Sequence, residues 1–244
     1  MRFTVVCPVH NEETLLPYSL PSMRKLGPEE TIFLLDRCTD GSELLIDQWF
    51  PCAKKITVSE TPKNWVYRGA WIRREGYRVA SNDFIVSTSA DIILDPRVLQ
   101  VTDEYLRGDC RLVSIGYTDY PLNIHVFLTR LTAKTFPSRA FGGPLVFSRQ
   151  AWLETEDQES ASKAFAEDTH LKLAIGRKYR TVHVESASIH LRPSQSFERH
   201  FKKGQEYYRT LQVNSELKMM ARSFLLLRPG LWMGWRYERG RSSC

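Results

Sequence analysis

The feature that most constrains the fold is an alternation of short apolar runs with longer amphipathic stretches over the first half of the chain. The runs have the length of buried strands, and the stretches have the spacing of helices that bury one face. This alternation predicts an α/β fold with a mostly parallel central sheet flanked by helices. The predicted strands are 3–9, 31–35, 55–58, 84–88 and 112–117, and the predicted helices are 12–25, 42–49, 66–80 and 96–106.

The second half of the chain is less regular. It predicts helices at 122–133, 150–154 and 164–175, strands at 145–147, 179–185 and 187–191, and a mobile polar loop at 154–163. A length of 244 residues suits one α/β domain with a short appendage. We place the boundary after residue 191, with a basic, aromatic, helical extension at 192–244.

The net charge of +6 comes from this extension, which carries eleven Lys or Arg residues against four Glu. Its basic character predicts an anionic partner, such as substrate phosphates, an acidic membrane face or nucleic acid, or else a solvated basic surface. Trp232 and Trp235 alternate with arginines, a pattern typical of an interfacial membrane anchor at 224–244. We expect no signal peptide and no membrane span.

The cysteines predict a reducing compartment. The five cysteines form no C-x-x-C pair, and their odd number argues against a closed disulfide framework. We therefore expect reduced thiols and a cytoplasmic location, with contact between the tail and the inner face of the membrane.

Two acidic residues lie at or just beyond the carboxyl ends of predicted strands. Asp36 follows the strand 31–35, and Asp91 lies just past the strand 84–88. In open parallel sheets, ligands bind beyond the carboxyl ends of the strands. We therefore expect the carboxylates of Asp36 and Asp91 at the same edge of the sheet.

Four stretches, in this order, resemble the motifs of glycosyltransferase family 2. Residues 8–12 resemble its P-x-x-N-E opening, and 36–42 resemble its acidic nucleoside-binding stretch, with Asp36 in the place of the second Asp. Residues 89–91 stand where the family has Asp-x-Asp, and 167–168 match its Glu-Asp pair. The chain departs from the family pattern at Leu35 and Arg37, which replace an Asp and a Gly, and at Ser89, which replaces the first acidic residue of Asp-x-Asp.

The resemblance implies a GT-A fold with a catalytic domain at 1–191 and an inverting transfer. Asp168, with Glu167 beside it, would be the base that removes the acceptor proton. Asp91 and His190 would hold a divalent cation, Mg²⁺ or Mn²⁺. The implied nucleotide- and donor-binding residues are Pro8, Asn11, Glu12, Asp36, Arg73, Ser89, Ala90, Gly143 and Arg192.

The same resemblance implies a nucleotide-sugar donor, a UDP- or GDP-sugar, and a saccharide or lipid-linked acceptor. One alternative is a nucleotidyltransferase on a similar sheet, which would release pyrophosphate. Another is a non-catalytic protein that binds nucleic acid or other anions through its basic tail. Nucleic acid is not favoured, because Asp36, Asp91 and Asp168 would repel its phosphates.

Overall fold

The computed structural model describes residues 1–65, 67–120, 143–163, 167–191 and 233, and the predicted helix at 122–133 lies outside these ranges. The eight strands among the described residues are β1 (Phe3–Val9), β2 (Glu30–Leu35), β3 (Lys54–Thr57), β4 (Phe84–Ser87), β5 (Ile92–Ile93), β6 (Cys110–Asp119), β7 (Leu145–Ser148) and β8 (Arg180–His190). The helices there are α1 (Leu16–Lys25), α2 (Ser42–Trp49), α3 (Arg68–Val79), α4 (Val98–Leu106), α5 (Arg149–Thr155), α6 (Gln158–Lys163) and α7 (Glu167–Gly176). The predicted α/β class is confirmed.

All eight strands join one sheet in the order β3-β2-β1-β4-β7-β6-β8-β5. The strands β3, β2, β1 and β4 are parallel, whereas β7 is antiparallel to both β4 and β6. The chain leaves β1 toward β2 and β3 and then returns to pair β4 with the other side of β1. This reversal is a topological switch point, the place where open α/β sheets bind ligands.

Apolar residues cover both faces of the sheet. On β1, Val5, Cys7 and Val9 pack in the core with α1, α2 and α4, while Val6 points to the opposite face. That face packs against α3, α5 and α7. A Cβ on Gly76 of α3 would lie 2.5 Å from Val6, so a glycine is needed for α3 to approach the sheet this closely.

Three local predictions were wrong. The two strands predicted at 179–185 and 187–191 form the single strand β8. The helix predicted at 12–25 begins at Leu16, and Asn11, which precedes the predicted start, has a positive φ of 53°. The predicted mobile loop at 154–163 contains α6, because the Asp157 carboxylate accepts hydrogen bonds from the Glu159 amide and the Ser160 hydroxyl. A side chain that satisfies the free donors of a first turn starts a helix even in a polar sequence.

Residues 1–118 and 142–191 form one compact unit, and 119–141 with 192–244 form another. The predicted domain boundary after residue 191 stays a prediction. Within the described ranges, no helix combines the length and the apolar character that crossing a bilayer requires.

Glu30 links the beginnings of several strands, and we predict that it is the main source of acid sensitivity in the sheet. Its Oε2 accepts hydrogen bonds from the Thr4 hydroxyl at 2.6 Å and the Ser81 amide at 2.8 Å, and its Oε1 pairs with Lys54. Burial alone would raise its pKa, but these donors outweigh burial and lower the pKa from 4.5 to about 2. The ionised carboxylate therefore stabilises the fold above pH 4.5, and this stability is lost as the pH falls toward about 2.

Glu30→Gln is expected to lower the free energy of unfolding at pH 7 by about 1–3 kcal/mol. The difference from the wild type should shrink as the pH falls from 4.5 toward about 2, as measured by urea unfolding at several pH values. Glu29→Gln is the control, because Glu29 pairs with Arg2 at an exposed site and such pairs contribute at most about 1 kcal/mol. A Glu30→Gln deficit that is independent of pH would contradict the assignment.

Candidate active site

The loops that follow β1 and β2 are bonded to each other at the carboxyl edge of the sheet. Asn11 Oδ1 accepts a hydrogen bond from the Thr39 amide at 2.8 Å, and Ser42 Oγ accepts one from the Glu12 amide at 2.8 Å. Asn11 and Arg37 have φ values of 53° and 51°, in the left-handed region that non-glycine residues rarely adopt. Such strained conformations cluster at ligand sites, and here the hydrogen bonds between the two loops hold them.

Asp36 extends from the end of β2, and its two carboxylate oxygens have different surroundings. Oδ1 accepts hydrogen bonds from Arg68 Nε at 2.8 Å and Arg37 Nε at 3.0 Å, whereas Oδ2 has no hydrogen-bond donor among the described residues. Burial alone would raise the pKa of this carboxyl group, but the two arginines outweigh burial and lower it. Asp36 is therefore ionised at neutral pH and keeps one oxygen available to accept a hydrogen bond from a ligand.

Arg68, the first residue of α3, was not among the predicted site residues. Its guanidinium contacts Asp36, the Thr61 hydroxyl and the Val58 carbonyl, and so ties β2 to the segment between β3 and α3. Only its place in the sequence hinted at this role, since it begins the helix that also carries Arg73.

Arg73 holds the loop that follows β4. Its guanidinium donates to the Thr88 carbonyl at 2.6 Å and to Ser89 Oγ at 2.7 Å. The Thr88 amide bonds to the Val6 carbonyl, so the next rung of this ladder would run from the amide of residue 8 to the Thr88 carbonyl. Pro8 has no N–H, and Arg73 satisfies that carbonyl instead. The position of the loop that follows β4 therefore depends on both Pro8 and Arg73.

Asp91 and His190 are adjacent, as the sequence analysis predicted for a metal pair. Asp91 Oδ2 lies 3.2 Å from His190 Nε2, and both side chains are largely buried. The short pairing of β5 with β8 places Ile92 opposite His190 and so fixes this contact. The ring of Tyr117 packs edge-on against the imidazole, with 5.2 Å between the ring centroids.

Gly143 lies against β6 and against the aromatic ring that supports His190. A Cβ at this position would lie 2.8 Å from the Ile115 carbonyl oxygen and 3.0 Å from the Tyr117 ring. The glycine is therefore needed for this close approach. Its assignment to donor binding stays a prediction.

Gly143→Ala is therefore expected to displace Tyr117 and to lower the free energy of unfolding by about 1–3 kcal/mol, the usual cost of overpacking. Thermal unfolding with van't Hoff analysis measures the change. Gly108→Ala is the matched control, since its nearest neighbour to a new Cβ is the Tyr105 carbonyl oxygen at an ordinary 3.5 Å. Equal stability of the two variants would rule out the crowding argument.

Asp168 lies in the first turn of α7, and its side chain is half-buried. Lys172 follows one turn later; burial lowers the pKa of its ammonium group, and the negative charge of Asp168 opposes that effect. Glu167 is the first residue of the same helix. The assignment of Asp168 and Glu167 to catalysis stays a prediction.

The other predicted site residues lie as follows. Ala90 is buried with only 2% of its surface exposed, so only its backbone can face a ligand. Glu12 lies in the loop after β1, where its carbonyl accepts hydrogen bonds from Leu15 and Leu16. Arg192 lies outside the described residues.

The residues present fit a divalent cation with two protein ligands. A carboxylate oxygen and an imidazole nitrogen at adjacent positions, as in Asp91 and His190, are donors that Mn²⁺ accepts, and Mg²⁺ commonly takes only one or two protein carboxylates. Ser89 contributes a hydroxyl that already bonds to Arg73. Across the described parts of the chain, no group of three or more His, Cys, Asp or Glu residues could hold a metal ion.

The sequence matches the model of glycosyl transferase family 2 over residues 4–139, more than half of the chain. No curated protein matches the sequence of this chain. The resemblance inferred from the motifs is therefore confirmed at the level of the family.

Solved structures of glycosyltransferases share the fold. The mannosyltransferase PcManGT from Pyrobaculum calidifontis, in complex with GDP-Man and Mn²⁺, is 19% identical with a TM-score of 0.65, over 97% of this chain and 69% of that one. Glucosyl-3-phosphoglycerate synthase from Mycobacterium tuberculosis, with Mn²⁺, UDP-Glc and phosphoglyceric acid, is 18% identical with a TM-score of 0.59, over 86% and 79% of the two chains. The 1–349 fragment of S. aureus TarS is 14% identical with a TM-score of 0.59, over 86% of this chain and 66% of that one. These similarities confirm the predicted GT-A fold, and the chain spans about two thirds of TarS 1–349.

Proposed function

The chain belongs to glycosyl transferase family 2, and on this premise we propose that it moves a sugar from a nucleoside diphosphate sugar to an acceptor hydroxyl with inversion at the anomeric carbon. One observation carries the proposal. Asp36 follows β2, and Asp91, which is adjacent to His190, follows β4. The strands β2 and β4 lie on either side of β1, at the switch point of the sheet. A nucleoside and its diphosphate need acceptor and cation-binding groups side by side in this way.

In the donor site, Asp36 Oδ2 would accept the ring N–H of a uracil or guanine base. Arg68 and Arg37 donate to Oδ1 and keep the carboxylate ionised, which strengthens a hydrogen bond to Oδ2. A UDP- or GDP-sugar fits this chemistry. Similar structures are complexes with donors of both kinds, GDP-Man for PcManGT and UDP-GlcNAc for TarS.

Asp91 and His190 would hold the Mg²⁺ or Mn²⁺ ion. When bound, the cation neutralises the charge that develops on the departing nucleoside diphosphate. Arg73 acts here as a positioning residue, because its hydrogen bonds to Thr88 and Ser89 fix the loop that leads to Asp91.

Asp168 would act as the general base. The acceptor oxygen attacks the anomeric carbon while the bond to the diphosphate oxygen breaks, and the hydroxyl proton passes to the Asp168 carboxylate. The attack comes from the face opposite the leaving group, so the anomeric configuration inverts. No second displacement and no covalent intermediate are needed.

The acceptor would be a saccharide or a lipid-linked saccharide, with the protein at the cytoplasmic face of a membrane. The support is the basic and aromatic composition of 224–244, where Trp232 and Trp235 alternate with arginines. Sedimentation with anionic liposomes tests this location. We expect binding that is lost on deletion of 224–244, and undiminished binding by the truncated protein would refute it.

Calorimetric titration with UDP and with GDP, each with and without Mn²⁺, tests the proposed function. We expect one nucleotide to bind more tightly in the presence of Mn²⁺, and its base then identifies the donor class. A folded protein that binds neither nucleotide would refute the proposal. Release of pyrophosphate rather than nucleoside diphosphate during turnover would instead indicate the nucleotidyltransferase alternative.

A further inference from the structure

A cleft lies between α3, α5, α6 and α7, on the face of the sheet that α3 covers. It is not part of the proposed donor and metal sites. It is open to solvent, and the space of about 480 Å³ within it includes the solvent at its mouth. Aromatic side chains and charged side chains share its lining, notably Trp65, Trp152, Arg74, Glu156 and His170. It is separate from the oxygen that Asp36 presents and from the Asp91–His190 pair, none of which line it.

Two buried hydrogen-bond donors in this cleft lack acceptors among the residues that the structure describes. Trp65 is 7% exposed, and its indole N–H has no hydrogen-bond partner within those ranges. Arg74 lies over the Trp65 ring, with 5.6 Å between its guanidinium carbon and the ring centroid. Its Nη1 group is buried and also lacks a partner. Leaving such donors unsatisfied costs about 1–3 kcal/mol each, so their presence calls for an acceptor.

The nearby carboxylate does not supply this acceptor. Arg74 Nε lies 2.7 Å from Glu156 Oε1, and this ion pair leaves Arg74 Nη1 without an acceptor among the described residues. Burial raises the pKa of Glu156, and the charge of Arg74 opposes that effect. Both side chains are only 13% exposed, so water screens them weakly.

The charge balance of the lining favours an anion. Arg73 and Arg74 contribute two positive charges and Glu156 one negative charge. Burial lowers the pKa of His170, so at neutral pH its imidazole is uncharged. The lining therefore carries a net positive charge beside two donors that have no acceptor.

We propose that this cleft is a second binding site, which takes a small ligand bearing a carboxylate or phosphate group. The anionic oxygens accept hydrogen bonds from Trp65 Nε1 and Arg74 Nη1, and the aromatic walls of Trp65 and Trp152 contact the rest of the ligand. A guanidinium and an indole N–H are donors only, so the ligand must supply the acceptors. A guanidinium also matches the oxygens of both groups.

The cleft also adjoins the loop that follows β4. Arg73 lines the cleft and at the same time donates hydrogen bonds to Thr88 and Ser89. A ligand in the cleft therefore lies beside the side chain that positions the loop leading to Asp91. The proposal itself does not depend on glycosyl transfer.

The indole N–H resonance of Trp65 in ¹⁵N-labelled protein tests the proposal directly. It is assigned by its loss in Trp65→Phe, and it is followed while phosphate or acetate is added at constant ionic strength with chloride. We expect a saturable downfield shift with at least one anion. Saturation by phosphate alone identifies a phosphate ligand, and saturation by acetate alone identifies a carboxylate ligand.

Arg74→Met is expected to weaken this binding at least about tenfold, the usual effect of losing a hydrogen bond to a charged group. Arg78→Met is the matched control, since Arg78 lies one turn later on α3 and is exposed, and it should bind as the wild type does. If Arg74→Met fails to fold, calorimetric titration of Trp65→Phe with the same anion replaces it and should show a similar loss. A Trp65 resonance that does not respond to either anion, or unchanged affinity in these variants, would overturn the proposal.

Discussion

Replacing Asp168 by Asn is expected to reduce the rate of sugar transfer by about 10²–10⁴-fold or more, with little change in affinity for the donor nucleotide. The amide is almost the same size as the carboxylate, but it cannot take up the proton of the acceptor hydroxyl. In the proposed mechanism, donor binding relies on Asp36, Asp91 and His190, which this change leaves intact. Initial rates of nucleoside diphosphate release and calorimetric titration with the nucleotide measure the two effects separately.

Asp109→Asn is the matched control for this experiment. Asp109 is an exposed aspartate at the start of β6, where it pairs with Arg180 at 3.0 Å, and the loss of such a pair has little effect on stability or rate. If the Asp168 variant transfers sugar at nearly the wild-type rate, Asp168 is not the base. If it loses nucleotide affinity in proportion to its rate, Asp168 contributes to binding rather than to proton transfer.

The parallel half of the sheet was predictable from the sequence because β1, β2 and β4 are short apolar runs that alternate with amphipathic helices. Helix α2 has the predicted bounds, and the ends of β2 and β4 lie within one residue of their predicted positions. The placement of Asp36 and Asp91 at one edge follows from those strand ends alone. Parallel neighbours must present the same ends to the same side.

The antiparallel half was not predictable in the same way. Pairing of β4 with β7 and of β5 with β8 joins residues that are far apart in sequence, and no local pattern encodes such partners. Hydrophobic periodicity predicts two strands, 179–185 and 187–191, where the structure has the single strand β8, and it does not place His190 opposite Ile92. The proposed metal pair could therefore be predicted only by resemblance to a family, and its geometry required the fold.

Side chains that support the site were the hardest to predict. Arg68, Tyr117 and Gly143 act through neighbours that come from other elements, so their roles depend on three-dimensional packing. The left-handed conformation of Asn11 could not be predicted from the sequence either, because an asparagine before a predicted helix is more often an N-cap. Here its side chain bonds to the neighbouring loop at Thr39 instead.

Replacing Asp91 by Asn is expected to remove the enhancement of nucleotide binding by Mn²⁺, with a loss of at least about 10–100-fold in metal affinity. Changes that merely disturb the support of a metal ligand already cost this much. Asp91 is 3% exposed and lies 3.2 Å from His190, so the site loses a negative charge where water cannot replace it easily. Electron paramagnetic resonance of free Mn²⁺ measures metal affinity without reference to turnover.

Asn is the informative substitution at this position because it retains the size of Asp and can still accept a hydrogen bond from His190 Nε2. A loss of folding would show in thermal unfolding and would be separate from the loss of metal. Asp103→Asn, at an exposed ion pair with Arg107 on α4, is the control and should bind Mn²⁺ as the wild type does. If the Asp91 variant also binds Mn²⁺ normally, the cation lies elsewhere and the pairing of Asp91 with His190 serves the fold alone. If metal affinity falls while nucleotide affinity without metal is unchanged, Asp91 acts through the cation and not on the nucleotide directly.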